Sequence, residues 1–328
     1  MKICIYGAGA VGGHAGALWA RAGHEVTLIA RGSQLEAIRK KGQLSYIAKD
    51  ERFAAPVRAA ATPEEAGVQD VVVLTVKAPS LSEVADRLGP LLGPETPIIA
   101  ALNGIPWWFF SGIGGALDGR RLATLDPDGR IAAGIPIERV IGCVLYIAAE
   151  VTAPAEITHS FGGRWVLGEP KNGVTPRLEG LIKSLTVPGL TIQASAAIRG
   201  DICHKLIGNM SGNTVSALTY ATSIEMLEHP GTSGVIMAML KEGIAISKAL
   251  GVTIPGSIEE RVGIMKSLGN FKSSTLQDVE RGRPIEADGL ILSVQEIARL
   301  IGVPTPTIDV IGALIALRAK TLLKALSA

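Results

Sequence analysis

Lys2-Ile3-Cys4-Ile5-Tyr6-Gly7-Ala8-Gly9-Ala10-Val11-Gly12 is the stretch on which the fold turns. A short apolar run reaches a glycine and passes into an apolar-periodic segment, Val11 to Ala22, that closes at Gly23. This pattern predicts a strand, a tight turn and a helix. Each glycine has a physical reason: Gly7 permits the reversal, Gly9 lets backbone approach a pyrophosphate, and Gly12 lets the helix pack close to the strand. Ala8, Ala10 and Val11 complete the loop and first helical turn, where unpaired N–H groups and partial positive charge face an anion. The plainer alternative is a merely glycine-rich turn, and the continuing alternation of elements downstream argues against it.

Working outward, Glu25 to Ala30 is a second strand, Ser33 to Lys41 a second helix, Val71 to Val76 a buried strand, Leu81 to Leu92 a helix and Pro97 to Leu102 another strand. Alternation of this kind predicts a parallel sheet with helices on both faces. Gly42 to Thr62 is an irregular or antiparallel excursion, and Val140 to Gly168 contains several further strands. From Asp201 the texture changes to long helical periods at Asp201 to Leu218, Thr232 to Leu250, Glu286 to Ile301 and Pro306 to Leu326. The domain boundary falls between Leu190 and Asp201. The expected fold class is α/β, with an N-terminal Rossmann-like parallel-sheet domain over residues 1–196 and an all-α C-terminal domain over residues 197–328.

The 328 residues are 47% hydrophobic and 19% charged, which excludes a disordered tail and suits two packed cores. With 32 basic against 30 acidic residues and no long Lys/Arg run, nucleic acid is not an expected partner. Three scattered cysteines, Cys4, Cys143 and Cys203, form no Cys-x-x-Cys pair, which argues against a disulfide framework or a zinc site, so no metal is expected. A reducing cytoplasm fits best. The apolar stretch after Lys2 is interrupted by five glycines and His14, unlike an export signal. Uncharged Thr96 to Leu117 contains prolines, Asn103 and glycines inside the strand–helix pattern and is core rather than membrane span.

The end of the second strand selects the cofactor. A carboxylate there bonds the ribose 2′-hydroxyl of NAD, whereas an arginine accommodates the 2′-phosphate of NADP. Here it is Arg31, with Arg39, Lys40 and Lys41 nearby, so NADPH/NADP is expected; otherwise Arg31 is an ordinary exposed arginine. Two later strand ends carry Lys77 and Asn103, an amine and a carboxamide suited to ribose, amide or carboxylate recognition. The alternative is two solvated residues that merely end strands.

In the second half, Lys205, Asn209 and Asn213 fall at i, i+4 and i+8 and share a helix face. Asparagine is a poor helix-interior residue, and a polar ligand would explain two of them one turn apart. Lys205, set among Ile202, Leu206 and Ile207, is a candidate general acid if its ammonium is partly desolvated, and otherwise a surface cation. His204 and Cys203 point about 100° apart on the helix and are structural. Ser273 to Asp278, followed by Glu286, reads by itself only as a capped helix start.

Together these residues resemble the ketopantoate reductase (2-dehydropantoate 2-reductase) family over nearly the whole chain. The resemblance implies NADPH bound by Gly7, Gly9, Gly12 and Arg31, with Lys77 as a cofactor lysine and Asn103 facing both nicotinamide and substrate. It implies that Lys205 is the catalytic lysine and that Asn209, Asn213 and Ser274 bind substrate, with Glu286 at the reacting centre or cofactor. The implied reaction is reduction of 2-dehydropantoate to (R)-pantoate, as in pantothenate biosynthesis, with hydride passing from NADPH to the ketone carbon and a proton from Lys205 to the developing alkoxide. The expected partner is a small 2-oxo acid; a homodimer is allowed and not required.

The chain departs from the family pattern at Cys203, where a tryptophan is usual, and at Phe271, where an asparagine is often found with the serine. Pro106-Trp107-Trp108-Phe109-Phe110 and the region Leu125 to Pro136 look like an added segment. An aromatic lid there would suit a larger or more apolar 2-oxo acid; alternatively, the rings only pack where the domains meet. A methyltransferase would want an acidic residue where Arg31 stands, and a non-catalytic NADPH sensor would not need Lys205.

Overall fold

A computed structural model describes residues 1–327, with side chains described through residue 324. The chain forms two compact units. Unit 1 comprises Met1–Leu102, Trp107–Arg121 and Asp128–Ile198; unit 2 comprises Asn103–Pro106, Leu122–Pro127 and the chain from Arg199 onward.

Unit 1 contains ten strands: β1 (Lys2–Tyr6), β2 (Glu25–Ile29), β3 (Gln43–Ile47), β4 (Arg52–Pro56), β5 (Arg58–Ala60), β6 (Val71–Leu74), β7 (Ile98–Ala100), β8 (Val140–Ala153), β9 (Glu156–Gly168) and β10 (Thr191–Ser195). Its helices are α1 (Ala10–Arg21), α2 (Gly32–Lys41), α3 (Pro63–Ala66), α4 (Leu81–Ala85), α5 (Arg130–Gly134) and α6 (Pro176–Leu185). The strands join one sheet in the order β4-β3-β9-β8-β7-β6-β1-β2-β5, with β10 also paired to β9. From β5 to β8 the pairing is parallel, as the alternation predicted.

Chain order reverses at β1, which has β2 on one side and β6 on the other. A crevice at the carboxyl ends of strands opens at such a reversal, and the glycine loop lies at this one. β1 and β6 are apolar throughout Ile3–Tyr6 and Val71–Leu74 because the helices of an α/β fold cover both faces of a parallel sheet. The core extends from these strands through Ala15, Leu18 and Trp19 of α1 to Trp165 and Leu167 of β9. Trp19 meets Trp165 edge-on with ring centroids 5.6 Å apart and donates its indole N–H to the Leu185 carbonyl at 2.8 Å.

The sheet is longer and more mixed than the sequence pattern predicted. The Gly42 to Thr62 excursion is an antiparallel β3–β4 pair followed by β5, and Val140 to Gly168 is one antiparallel pair of long strands rather than several strands. Leu81 to Leu92 yields only α4 and a 3₁₀ turn at Gly89–Leu91, because Gly89 and Pro90 interrupt the helix. α6 and β10 were not foreseen.

The aromatic segment does not form an exposed lid. Trp107, Trp108, Phe109 and Phe110 are each at most 6% exposed, within unit 1, and the Trp108 ring packs where Gly142 of β8 has no side chain. Large rings so placed gain more by filling the interior than by covering a mobile cleft.

Unit 2 is built from α7 (Ile198–Thr219), whose first residue clusters with unit 1, and from α8 (Ser223–Glu228), α9 (Pro230–Ala249), α10 (Ile258–Ser267), α11 (Ser274–Glu280), α12 (Ser293–Ile301) and α13 (Pro306–Ser327). Its described residues contain no strand. The period predicted from Glu286 to Ile301 begins with a π-helical turn, Asp288–Leu292, before α12. No described helix is long and apolar enough to cross a membrane.

Candidate active site

At the β1–α1 turn, Gly7 has φ +117°, a conformation that disfavours any side chain. The Gly7 N–H donates to Ile29 of β2 at 3.2 Å, and the Thr75 hydroxyl, just past β6, donates to the Gly7 carbonyl at 2.7 Å. Gly12 is fixed by contact: a Cβ there would lie 2.1 Å from the Gly7 carbonyl oxygen and 2.6 Å from the Thr75 hydroxyl. A Cβ at Gly9 would meet no atom within 4 Å. The loop is thus tight underneath and open above Gly9, where a phosphate would approach the first N–H groups of α1. Gln34 braces the same loop by donating to the Ala8 carbonyl at 2.9 Å while accepting from the Ala155 N–H at 2.8 Å. Thr75 and Gln34 were not foreseen. Thr75 follows an apolar strand as an out-of-place polar residue, whereas Gln34 leaves no local signal.

Arg31 follows β2 and stands at the start of α2 with its side chain 74% exposed. Its guanidinium lies 3.7 Å from the Glu83 carboxylate of α4, an exposed pair of small energetic value. Lys77 does not directly follow a strand as predicted. β6 ends at Leu74, and Lys77, half-buried, precedes the 3₁₀ turn Ala78–Ser80. Arg31 and Lys77 therefore follow the two strands that flank β1.

In unit 2, Lys205, Asn209 and Asn213 follow one another along α7, all half-buried, while Ile202, Leu206 and Ile207 are buried. The Lys205 ammonium donates to the Asn103 side-chain carbonyl at 2.7 Å. Asn103 is exposed, comes from the segment after β7, and clusters with unit 2. Two residues singled out for separate reasons are thus in direct contact.

Ser274 is exposed at the first position of α11, next to Ser273, which is buried and caps that helix by accepting from the Leu276 N–H at 3.1 Å. Glu286, half-buried, lies just before the π-helical turn and accepts the Leu290 N–H on its backbone carbonyl at 3.2 Å. The structure places these two on separate segments of unit 2.

Burial pushes the Cys203 thiol up to about 12, against smaller opposing effects of Ser247, Arg199 and Arg261. The thiol, free and buried, is therefore a packing group. Among the described residues no group of three or more His, Cys, Asp or Glu side chains could hold a metal ion.

The arrangement can do two things. The loop of unit 1 can take a dinucleotide on backbone N–H groups, and the Asn103–Lys205 pair can hold and protonate a polar carbonyl oxygen.

Comparison with known proteins gives the same direction. Residues 3–172 match the model of ketopantoate reductase PanE/ApbA, and residues 197–319 match that of its C-terminal region. A 2-dehydropantoate 2-reductase from Mesorhizobium japonicum is 45% identical over 96% of this chain and 97% of its own. A candidate ketopantoate reductase from Ralstonia solanacearum superposes with a TM-score of 0.92 at 43% identity, covering 98% of both chains. D-Mandelate dehydrogenase, crystallised with NADH and anilino(oxo)acetate, shares the fold at a TM-score of 0.82 and 20% identity, covering 98% of this chain and 99% of its own. The chain belongs to the ketopantoate reductase family of oxidoreductases.

Proposed function

We propose that this protein reduces 2-dehydropantoate to (R)-pantoate with NADPH, the reduction step of pantothenate biosynthesis, in the cytoplasm. The observation that carries the reading is the 2.7 Å contact between Lys205 and Asn103, made at a helix face that also bears Asn209 and Asn213. The 45% identical Mesorhizobium japonicum relative, named a 2-dehydropantoate 2-reductase, supports the substrate.

Residues 1–196 bind the cofactor through Gly7, Ala8, Gly9, Ala10, Val11 and Gly12, whose N–H groups receive the pyrophosphate, and through Arg31, which meets the 2′-phosphate. The open space above Gly9 and the exposed Arg31 fit this group. The D-mandelate dehydrogenase fold was crystallised with NADH, so the fold alone does not choose the phosphate, and Arg31 is the ground for NADPH. Lys77 and Asn103 orient the nicotinamide end. When bound, NADPH supplies the hydride.

Residues 197–328 handle the acid. Asn209, Asn213 and Ser274 hold the substrate's hydroxyl and carboxylate groups. Lys205 stabilises negative charge on the ketone oxygen as it develops and transfers a proton from Nζ to it. Asn103 Oδ1 holds that ammonium in place, and Glu286 completes the polar surround. A C₂ homodimer is compatible with these roles, since none needs a partner's residue.

Oxidation of NADPH measured with 2-dehydropantoate and a panel of other 2-oxo acids tests the proposal. The expected result is a kcat/KM for 2-dehydropantoate at least tenfold above any other acid. Preference for an aryl or branched 2-oxo acid would reassign the substrate, and no turnover with any would remove the reductase reading.

A further inference from the structure

We propose that Gly104 and Gly289 form a backbone clasp that positions Asn103 against Lys205. Asn103 is exposed and lies in a connection, where a side chain would ordinarily sample several rotamers. Its contact with Lys205 nevertheless needs Oδ1 within hydrogen-bond reach. Two residues further on, the Ile105 N–H donates to the Gly289 carbonyl at 2.8 Å and ties this connection to the π-helical turn Asp288–Leu292.

The π-turn is what makes that carbonyl available. In an α-helix the Ser293 N–H would bond Gly289, four residues back. Here the widened turn sends the Ser293 N–H to the Asp288 carbonyl instead, and the Gly289 carbonyl accepts from the Ile105 N–H and, at 3.4 Å, from the Ser293 hydroxyl. Such single π-turns within helices recur at functional sites. The same turn follows Glu286, so the clasp joins the Asn103 segment to the backbone that carries the candidate carboxylate.

Glycine is required on the Asn103 side. Gly104 has φ +85°, and a Cβ there would lie 2.3 Å from the Gly289 oxygen and 2.5 Å from its carbonyl carbon, a collision of backbone with no flexible side chain to yield. Gly289 is less constrained, since its Cβ would meet the Asn103 carbonyl oxygen at 3.4 Å. Gly104 is therefore a positioning residue that acts through Asn103.

The role rests on the proposed reduction for its kinetic readout but not for its structural one. Steady-state kinetics on Gly104→Ala, Asn103→Ala and the double variant should show kcat lowered about 10- to 100-fold by Gly104→Ala, the scale of an ångström's misplacement. KM for NADPH should rise no more than it does in Asn103→Ala, since any effect on the nicotinamide end passes through Asn103. The double variant should be no slower than Asn103→Ala alone, because the second change removes a support whose cargo is already gone. Losses that multiply, or a Gly104→Ala enzyme within twofold of wild type, would overturn the clasp. Crystal structures supply the second readout, in which the Asn103 Oδ1 to Lys205 Nζ distance should exceed about 4 Å in Gly104→Ala, beyond hydrogen bonding. An unchanged distance overturns the clasp even if wild type reduces no 2-oxo acid, an outcome that would remove the reductase reading alone. If Gly104→Ala does not fold, Ile105→Pro, which deletes the N–H donor without adding an atom at residue 104, is read in the same two ways.

Discussion

The glycine loop of unit 1 and the Lys205 face of unit 2 are polar sites constructed by opposite means. In the loop, the groups proposed to meet the cofactor are main-chain N–H groups, and what shapes them is missing side chains: Gly12 lies against the Gly7 carbonyl, and Gly9 opens outward. On α7 the groups are side chains, held by a helix whose apolar residues are buried and by an asparagine from a distant segment. A backbone site is damaged by adding atoms and a side-chain site by removing them. The two should therefore fail differently under mutation.

Lys205→Ala should have the largest effect. Loss of a proton donor to the substrate oxygen lowers kcat by about 10²- to 10⁴-fold while the Kd for NADPH, measured by fluorescence titration, stays within a few-fold. A parallel loss of NADPH binding would break the separation of the two sites. Gly12→Ala, which adds one methyl group, should weaken NADPH binding by about 100-fold, since a Cβ 2.1 Å from a carbonyl must displace the loop by an ångström or more. Retained affinity would mean that the loop yields.

Arg31→Ala removes the charge proposed to meet the 2′-phosphate. It should raise KM for NADPH about 10- to 100-fold, the value of a charge-assisted hydrogen bond, and leave KM for NADH nearly unchanged. Equal effects on both cofactors would dismiss Arg31 as the selector.

The smallest effect concerns stability. His14 on α1 is fully buried, its Nδ1 is 3.1 Å from the Tyr46 hydroxyl, and burial, followed by the nearby His159, pushes it down to about 3. A histidine depressed below its ordinary value of 6.5 stabilises the fold fully above that value, and the contribution is lost as pH falls toward 3. Urea unfolding followed from pH 7 to 4 should show His14→Gln losing less stability than wild type, by at most about 1.4 kcal/mol per pH unit. Identical slopes would show that His14 is charged or water-linked in the folded state.

Much of unit 1 was legible because its signals are local. Three glycines within six residues, set between an apolar strand and a periodic helix, announce a tight turn, and Arg31 stands one residue beyond its strand's apolar run. The mixed half of the sheet was not legible, because its pairings join distant segments: Ser45 opposes Glu156, and Thr191 opposes Arg164. Alternation within one strand does not say which other strand it meets. In unit 2 the four-residue spacing of Lys205, Asn209 and Asn213 revealed a face, and the structure shows that Asn103 meets it. The aromatic run left a lid and interior packing both open because ring content says nothing of direction, and all four residues are buried. The π-turn left no periodic trace, since one extra residue in a helix only blurs its period.

The central claim is hydride transfer to a 2-oxo acid on this scaffold. The direct measurement is to incubate the protein with 2-dehydropantoate and NADPH deuterated on one face at C4 of the nicotinamide, in separate reactions for the two faces, and to locate the label in the product. The account predicts deuterium on C2 of pantoate from one face only. Pantoate formed without label from either, or no pantoate at all, would contradict it.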